Sequence, residues 1–170
     1  KKHPKKIAWL QCIGSRDTEH PYCSSVCCMY ATKEAVIARE HSKEVEATIF
    51  YIDIRAFGKE FDQYIERAKQ EYGVRFVKSR IASVSEMQDG SLQLAYEDDA
   101  GVLHRDVFDL VVLSVGLAST EENCQLAKTL HIQTNNYGMI ESKEFHPNET
   151  NQPGIFAAGS ISGPKDIPES

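Results

Sequence analysis

Four of the five cysteines in this 170-residue chain fall between positions 12 and 28: Cys12, Cys23, Cys27 and Cys28. Their spacing is Cys-x10-Cys-x3-Cys-Cys. Thiolates are soft ligands, suited to iron–sulfur clusters and to zinc. A helix carrying Cys23 and Cys27 would put both sulfurs on one face, because residues four apart are neighbours there. Cys28 is rotated from Cys27 by about 100°. Four thiolates around one centre therefore require an irregular helix start at Cys23 or Cys28. Cys12 closes an apolar stretch that reads as a strand. In an α/β sheet such a strand end faces the same rim as the N-terminus of the next helix. The crowding favours a metal site over small buried cysteines, the common fate of a free thiol. Iron–sulfur is preferred to zinc because paired Cys-x-x-Cys units are absent, but spacing alone leaves zinc open. A redox disulfide among Cys23, Cys27 and Cys28 ranks third. Cys124 lies in a polar segment and reads as a bystander.

The elements that must position these thiols follow from the hydrophobic pattern. Residues 7–13 read as a buried strand, 14–21 as a turn-prone stretch, and 23–41 as an alanine-rich helix. Residues 47–54 are dense in β-branched and aromatic residues and read as a second strand. Phe61, Tyr64, Ile65 and Ala68 recur at helical spacing over 59–72, with Gly73 as a C-terminal stop. A third strand is expected at 74–77. Two more, at 81–87 and 91–96, flank the hairpin signal Asp89-Gly90. A turn follows at 98–101. Residues 108–115 read as a strand covered on both faces. Residues 126–130 read as a short helix, and 153–160 as a strand running into a glycine turn. This order predicts an α/β fold with a Rossmann-like nucleotide-binding-type domain over residues 6–118, interrupted by a β excursion. Residues 119–170 form an incomplete second segment, cut where a helix should start after Pro168.

Bulk properties narrow the function classes. The formal charge of -6 gives no basic patch for nucleic acid, and 41% hydrophobic content suits a globular fold. No apolar run reaches 18 residues, so no membrane-spanning segment is expected. The short apolar run after the basic N-terminus does not read as a signal peptide, and a cytoplasmic location is expected. Without an initiator methionine the chain reads as an excised piece of a longer one. The first strand-to-helix turn, Gln11-Cys12-Ile13-Gly14-Ser15-Arg16, has one glycine where a dinucleotide fingerprint needs several. Ordinary nicotinamide binding is therefore not expected. Asp53, at the end of the second strand, reads as a strand-end polar residue. Ala157-Ala158-Gly159-Ser160 could bring backbone N–H groups close to a phosphate.

Two segments, residues 111–117 and 154–159, resemble segments of two-dinucleotide-domain flavoprotein disulfide reductases. There the residue after the final glycine is usually an aspartate that contacts FAD; here it is Ser160. A closer resemblance is to the iron–sulfur flavoprotein component of heterodisulfide reductase and its family. It is carried by Gln11-Cys12-Ile13-Gly14-Ser15-Arg16-Asp17, Pro21-Tyr22-Cys23, Cys27-Cys28-Met29-Tyr30-Ala31, Asp53-Ile54-Arg55-Ala56-Phe57-Gly58-Lys59 and Gly163-Pro164-Lys165-Asp166-Ile167-Pro168. The likeness covers most of residues 6–170. It implies a flavoprotein that binds FAD and several [4Fe–4S] clusters and takes part in flavin-based electron bifurcation. Its implied partners are other heterodisulfide-reductase-like subunits and ferredoxin, hydrogenase or dehydrogenase electron donors. By resemblance, Cys12, Cys23, Cys27 and Cys28 ligate one cluster. Lys33 lies near the isoalloxazine ring, and Gly159, Ser160, Lys165, Asp166 and Ile167 help hold FAD. Residues 119–170 then correspond to part of the FAD-binding domain. The isolated piece is expected to show little activity. Two rival classes stay open: a non-catalytic docking module with zinc or reduced thiols, and a pyridine-nucleotide-dependent disulfide reductase.

Overall fold

The computed structural model describes residues 3–170. The chain divides into two compact units. One holds the residues up to Ile13 together with Cys27–Val115; the other holds Gly14–Val26 and Gly116–Ser170. The sequence reading assigns segment 14–26 to the first domain, whereas its contacts lie with the C-terminal residues.

The first unit is built on a parallel sheet of four strands: β1 (Lys6–Ile13), β2 (Glu46–Tyr51), β3 (Arg75–Lys78) and β7 (Leu110–Val115). Their order is β3-β2-β1-β7. β1 sits in the interior of the sheet and its residues from Ile7 to Gln11 are all buried, as its continuous apolar run requires. α1 (Cys27–His41) and α2 (Phe61–Gln70) supply the crossovers. Alternate residues of β1 serve two cores. Ile7 and Trp9 pack with Ala31, Ala35 and Val36 of α1 and with Ile49 and Ala68. Ala8 and Leu10 pack with Phe50 and with Leu94, Tyr96 and Phe108 on the opposite face. That second face is covered by an antiparallel meander of β4 (Ile81–Glu86), β5 (Leu92–Glu97) and β6 (Leu103–Phe108). The β4–β5 hairpin turns at Asp89-Gly90, where Gly90 has φ 81°, a conformation that glycine adopts without steric cost.

The mixed α/β class with a Rossmann-type sheet agrees with the sequence reading. Several local expectations do not. α1 begins at Cys27, four residues later than expected, so Cys23 is not on the helix. β6 was not anticipated. β7 is not covered on both faces: it is an edge strand with Leu113 53% and Val115 64% exposed. Residues 153–160 form no extended strand. They contribute one isolated bridge, Glu149 to Phe156, followed by a 3-10 turn over Gly159–Ser162.

The second unit carries α3 (Glu121–Thr129), capped by Thr120, whose side chain accepts from the Asn123 N–H. Its small core joins Ala127, Ile132, Ile140 and Ala157. Segment 14–26 is tied into this unit by three contacts. The Leu117 N–H donates to Ser24 Oγ at 2.9 Å, the Tyr22 hydroxyl donates to the Leu117 carbonyl at 3.1 Å, and Tyr22 meets Tyr137 edge-on at 5.0 Å.

Candidate functional site

The C-terminal edge of the parallel sheet gathers three of the four clustered cysteines. Cys12 is the penultimate residue of β1 and has φ 62°, left-handed backbone that is uncommon for a side-chain-bearing residue. The register of β1 against β7 shifts between Leu10 and Ile13, so the strand is irregular where Cys12 sits. Cys27 and Cys28 open α1, and both are buried.

Their sulfurs face different strand ends. The Cys27 thiol donates to the carbonyl of Val115, the last residue of β7, at 3.6 Å. The Cys28 sulfur lies 4.0 Å from the carbonyl of Asp53, just past β2, and accepts the Arg55 N–H at 3.4 Å. β7 and β2 flank β1 on opposite sides. Their ends are therefore two strand spacings apart, about 10 Å, with Cys12 on the strand between. A Cys27–Cys28 disulfide would need one sulfur to abandon its strand. None of the five cysteines is disulfide-bonded.

Cys23 belongs to the other unit. It lies in a loop before α1, and its sulfur accepts the Ser25 N–H at 3.3 Å, with Ser25 at φ 63°. Cys124 lies on α3, and its sulfur is 3.9 Å from the Gly138 carbonyl. A Cβ at Gly138 would meet that sulfur at 2.6 Å, so the two are packed against each other.

A tetrahedral zinc site holds its sulfurs about 3.8 Å apart, from Zn–S bonds of ~2.3 Å. Among the described residues, no group of three or more His, Cys, Asp or Glu side chains converges on such a single-ion site. A thiol set fanned over three strand ends suits a multi-iron cluster better, because several metal atoms spread their ligands more widely. The chemistry of the donors also fits. The sulfurs of Cys23 and Cys28 each accept a backbone N–H, the kind of contact that stabilises a thiolate and tunes a cluster. The sulfurs of Cys27 and Cys28 lie on the first turn of a 15-residue helix, whose dipole favours negative charge.

The flavin candidates other than Lys33 lie in the second unit. Gly159 opens the 3-10 turn at φ 77°, and a Cβ there would meet nothing nearer than Ser170 Cβ at 4.0 Å. That open backbone can accept a close-lying ligand. Ser160 is exposed on the same turn. Lys165 donates to Ser162 Oγ at 2.8 Å. Asp166 accepts the Glu169 N–H at 2.9 Å, and Ile167 is 85% exposed. Lys33 is exposed on α1. It sits about 120–140° around the helix from Cys27 and Cys28, so the structure does not bring it to those sulfurs. Asp53 pairs with Arg55 at 3.3 Å, as a strand-end polar residue would. Sequence reading missed Arg55 as a neighbour of the thiols, because it meets the Cys28 sulfur through its backbone N–H, which residue type does not signal.

A family model described as pyridine nucleotide-disulphide oxidoreductase matches residues 28–170. The chain is 42% identical to an iron-sulfur subunit of the CoB--CoM heterodisulfide reductase of Methanopyrus kandleri, over 99% of this chain and 27% of that protein. It is 38% identical to one subunit of the H(2):CoB-CoM heterodisulfide,ferredoxin reductase of Methanothermobacter thermautotrophicus, over 98% of this chain and 26% of that one. The chain thus spans about a quarter of the length of these curated relatives. Its fold is similar to the crystal structure of LpdA from Mycobacterium tuberculosis, with TM-score 0.57 and 17% identity, over 94% of this chain and 30% of that one.

Proposed function

The chain belongs to the pyridine nucleotide-disulphide oxidoreductase family, and from that premise we propose that it is the part of a heterodisulfide-reductase-like oxidoreductase in which electrons pass between FAD and a [4Fe–4S] cluster. Cys12, Cys27 and Cys28 are three of the cluster's ligands and Cys23 is the fourth. When bound, the cluster and flavin supply the electron-transfer chemistry. The protein's own groups position and tune it. The Arg55 and Ser25 N–H groups stabilise negative charge on two sulfurs. The first turn of α1 does the same for its two thiolates. Gly159 and Ser160 keep the backbone open for the flavin, with Lys165, Asp166 and Ile167 beside them. Lys33 is carried as a flavin contact on resemblance alone.

The observation that carries the reading is the fan of thiols across the ends of β2, β1 and β7, too wide for one zinc ion. In the whole protein the reaction is flavin-based electron bifurcation in the cytoplasm, with electrons shared among related subunits, ferredoxin and hydrogenase- or dehydrogenase-type donors. Among the described residues no helix is long and apolar enough to cross a membrane.

The test is anaerobic reconstitution of the chain with iron and sulfide, followed by metal and sulfide analysis. About four irons per chain are expected, the ratio for one cluster on four thiolates. Changing each of the four cysteines to serine should lower that ratio, whereas Cys124→Ser should not. Stoichiometric zinc, or five alkylatable thiols and no iron uptake, would overturn the reading.

A further inference from the structure

We infer that Gln11 is a positioning residue for the cysteine site: its buried side-chain amide is held by Ser114 at one end, and the other end is ready to hydrogen-bond a sulfur there. The inference deepens the cluster reading and rests on it.

Gln11 is 7% exposed. Its Nε2 donates to Ser114 Oγ at 2.9 Å. Its Oε1 is the one buried side-chain nitrogen or oxygen among the described residues without a partner. Buried polar groups are nearly always paired, so an orphan asks for an explanation. A leucine of similar volume would fill the space without stranding an oxygen, so packing alone does not account for a glutamine.

Its position supplies the reason. Ile7 and Trp9 occupy the face of β1 that α1 covers, and Trp9 Nε1 donates to Glu34 on that helix at 2.9 Å. Gln11 continues the same alternation. On β7, Val112 packs against the same core and Ser114 is the next residue on that face. Two strand residues advance about 6.6 Å, or four to five helical residues. That moves the level on α1 from Glu34 back to Met29 and Tyr30, the turn that holds the two cysteines. Ser114 immediately precedes Val115, whose carbonyl takes the Cys27 thiol. The amide thus lies beneath the first turn of α1, one residue before Cys12.

In the metal-free chain the carbonyl oxygen takes up no S–H and stays without a partner. A half-turn about the last side-chain bond exchanges oxygen and nitrogen with almost no change in shape. Ser114 then donates to Oε1, and the NH2 group donates to a thiolate or cluster sulfur. Hydrogen bonds to the sulfurs favour the reduced, more negative cluster and raise its potential.

The experiment compares the wild-type chain with Gln11→Leu, Gln11→Glu and Ser114→Ala after anaerobic loading with iron and sulfide. It measures iron per chain, the midpoint potential by titration with EPR detection, the rate of iron loss to a chelator, and the thermal midpoint of the metal-free chain. For Q11L the metal-free chain should melt no lower than wild type, because the orphan oxygen is gone. Its loaded form should show a more negative potential and lose iron at least tenfold faster. Q11E, an acceptor without N–H groups, should shift further in the same direction, and S114A should fall between Q11L and wild type. Unchanged potential and unchanged iron loss in Q11L and S114A overturn the inference while leaving the cluster reading intact. So does a Q11L chain that melts several degrees lower with wild-type potential, which marks a structural role. Failure of the wild-type chain to take up iron overturns the cluster reading, and the inference falls with it.

Discussion

Gly116 follows directly after β7, and adding a single methyl group there should disturb the loop that carries Cys23. A Cβ at position 116 would stand 2.8 Å from the Gly14 carbonyl oxygen, 2.8 Å from Ser24 Oγ and 3.0 Å from Ser15 Cβ. The first neighbour is backbone and cannot rotate away. The second is buried and holds the Leu117 N–H at 2.9 Å. Ser15 is also buried, so the loop has no space to yield into. Overpacking of this kind costs about 1–3 kcal/mol. Losing the Ser24–Leu117 bond adds roughly 0.5–1.5 kcal/mol. Gly116→Ala should therefore destabilise the chain by about 2–4 kcal/mol, with a Tm shift of about 2–4 °C for each kcal/mol in a protein of this size. Urea unfolding followed by circular dichroism measures it. Ser24→Ala removes one clashing atom, so the G116A/S24A double variant should be less destabilised than the sum of the single changes. A G116A chain within 0.5 kcal/mol of wild type, or strict additivity in the cycle, would refute the steric reasoning.

Two further outcomes follow from named residues. Cys12 holds left-handed backbone at φ 62°, which costs a non-glycine residue roughly 1–2 kcal/mol. Cys12→Gly should stabilise the metal-free chain by up to about 1 kcal/mol, since glycine also loses more chain entropy on folding, and should impair iron loading; a lower melting temperature would count against it. The second concerns acid stability. The His104 ring lies 2.7 Å from Asp98 Oδ2, and this bond, with the Val102 N–H, holds the Asp98 carboxyl below its ordinary value. A carboxyl depressed in the folded state contributes stability that is complete above its unfolded pKa and lost as pH falls through the folded one. Asp98→Asn should therefore flatten the pH dependence of stability below about pH 4, the ordinary carboxylate range, and change it little above pH 6. An unaltered acid limb in urea titrations from pH 2 to 7 would contradict this.

Much of the first unit was legible locally. The apolar run of β1, the helical spacing of Phe61, Tyr64, Ile65 and Ala68, and the Asp89-Gly90 turn each carry their own periodicity or turn chemistry. β6 was missed because Leu103–Phe108 mixes His104, Arg105 and Asp106 into its alternation. His104 is accounted for by its ring contact to Tyr96 and its bond to Asp98, and Asp106 by its ion pair with Arg75, while Arg105 is exposed. β7 was misread for the opposite reason. Its apolar composition signals burial, yet strand order leaves it at the sheet edge, and no local pattern encodes strand order.

The sequence by itself determined that four thiols crowd one strand-to-helix connection and that the turn lacks a dinucleotide glycine pattern, because both are properties of residue type and spacing. Tertiary structure alone decided where those thiols point. Parallel pairing sets β2 and β7 on either side of β1, so consecutive cysteines at the start of α1 address strand ends about 10 Å apart. The same long-range packing buried Gln11, left its Oε1 without a partner, and assigned Cys23 to a different compact unit from Cys12, Cys27 and Cys28. Such facts depend on contacts between residues some hundred positions apart, which spacing along the chain does not record.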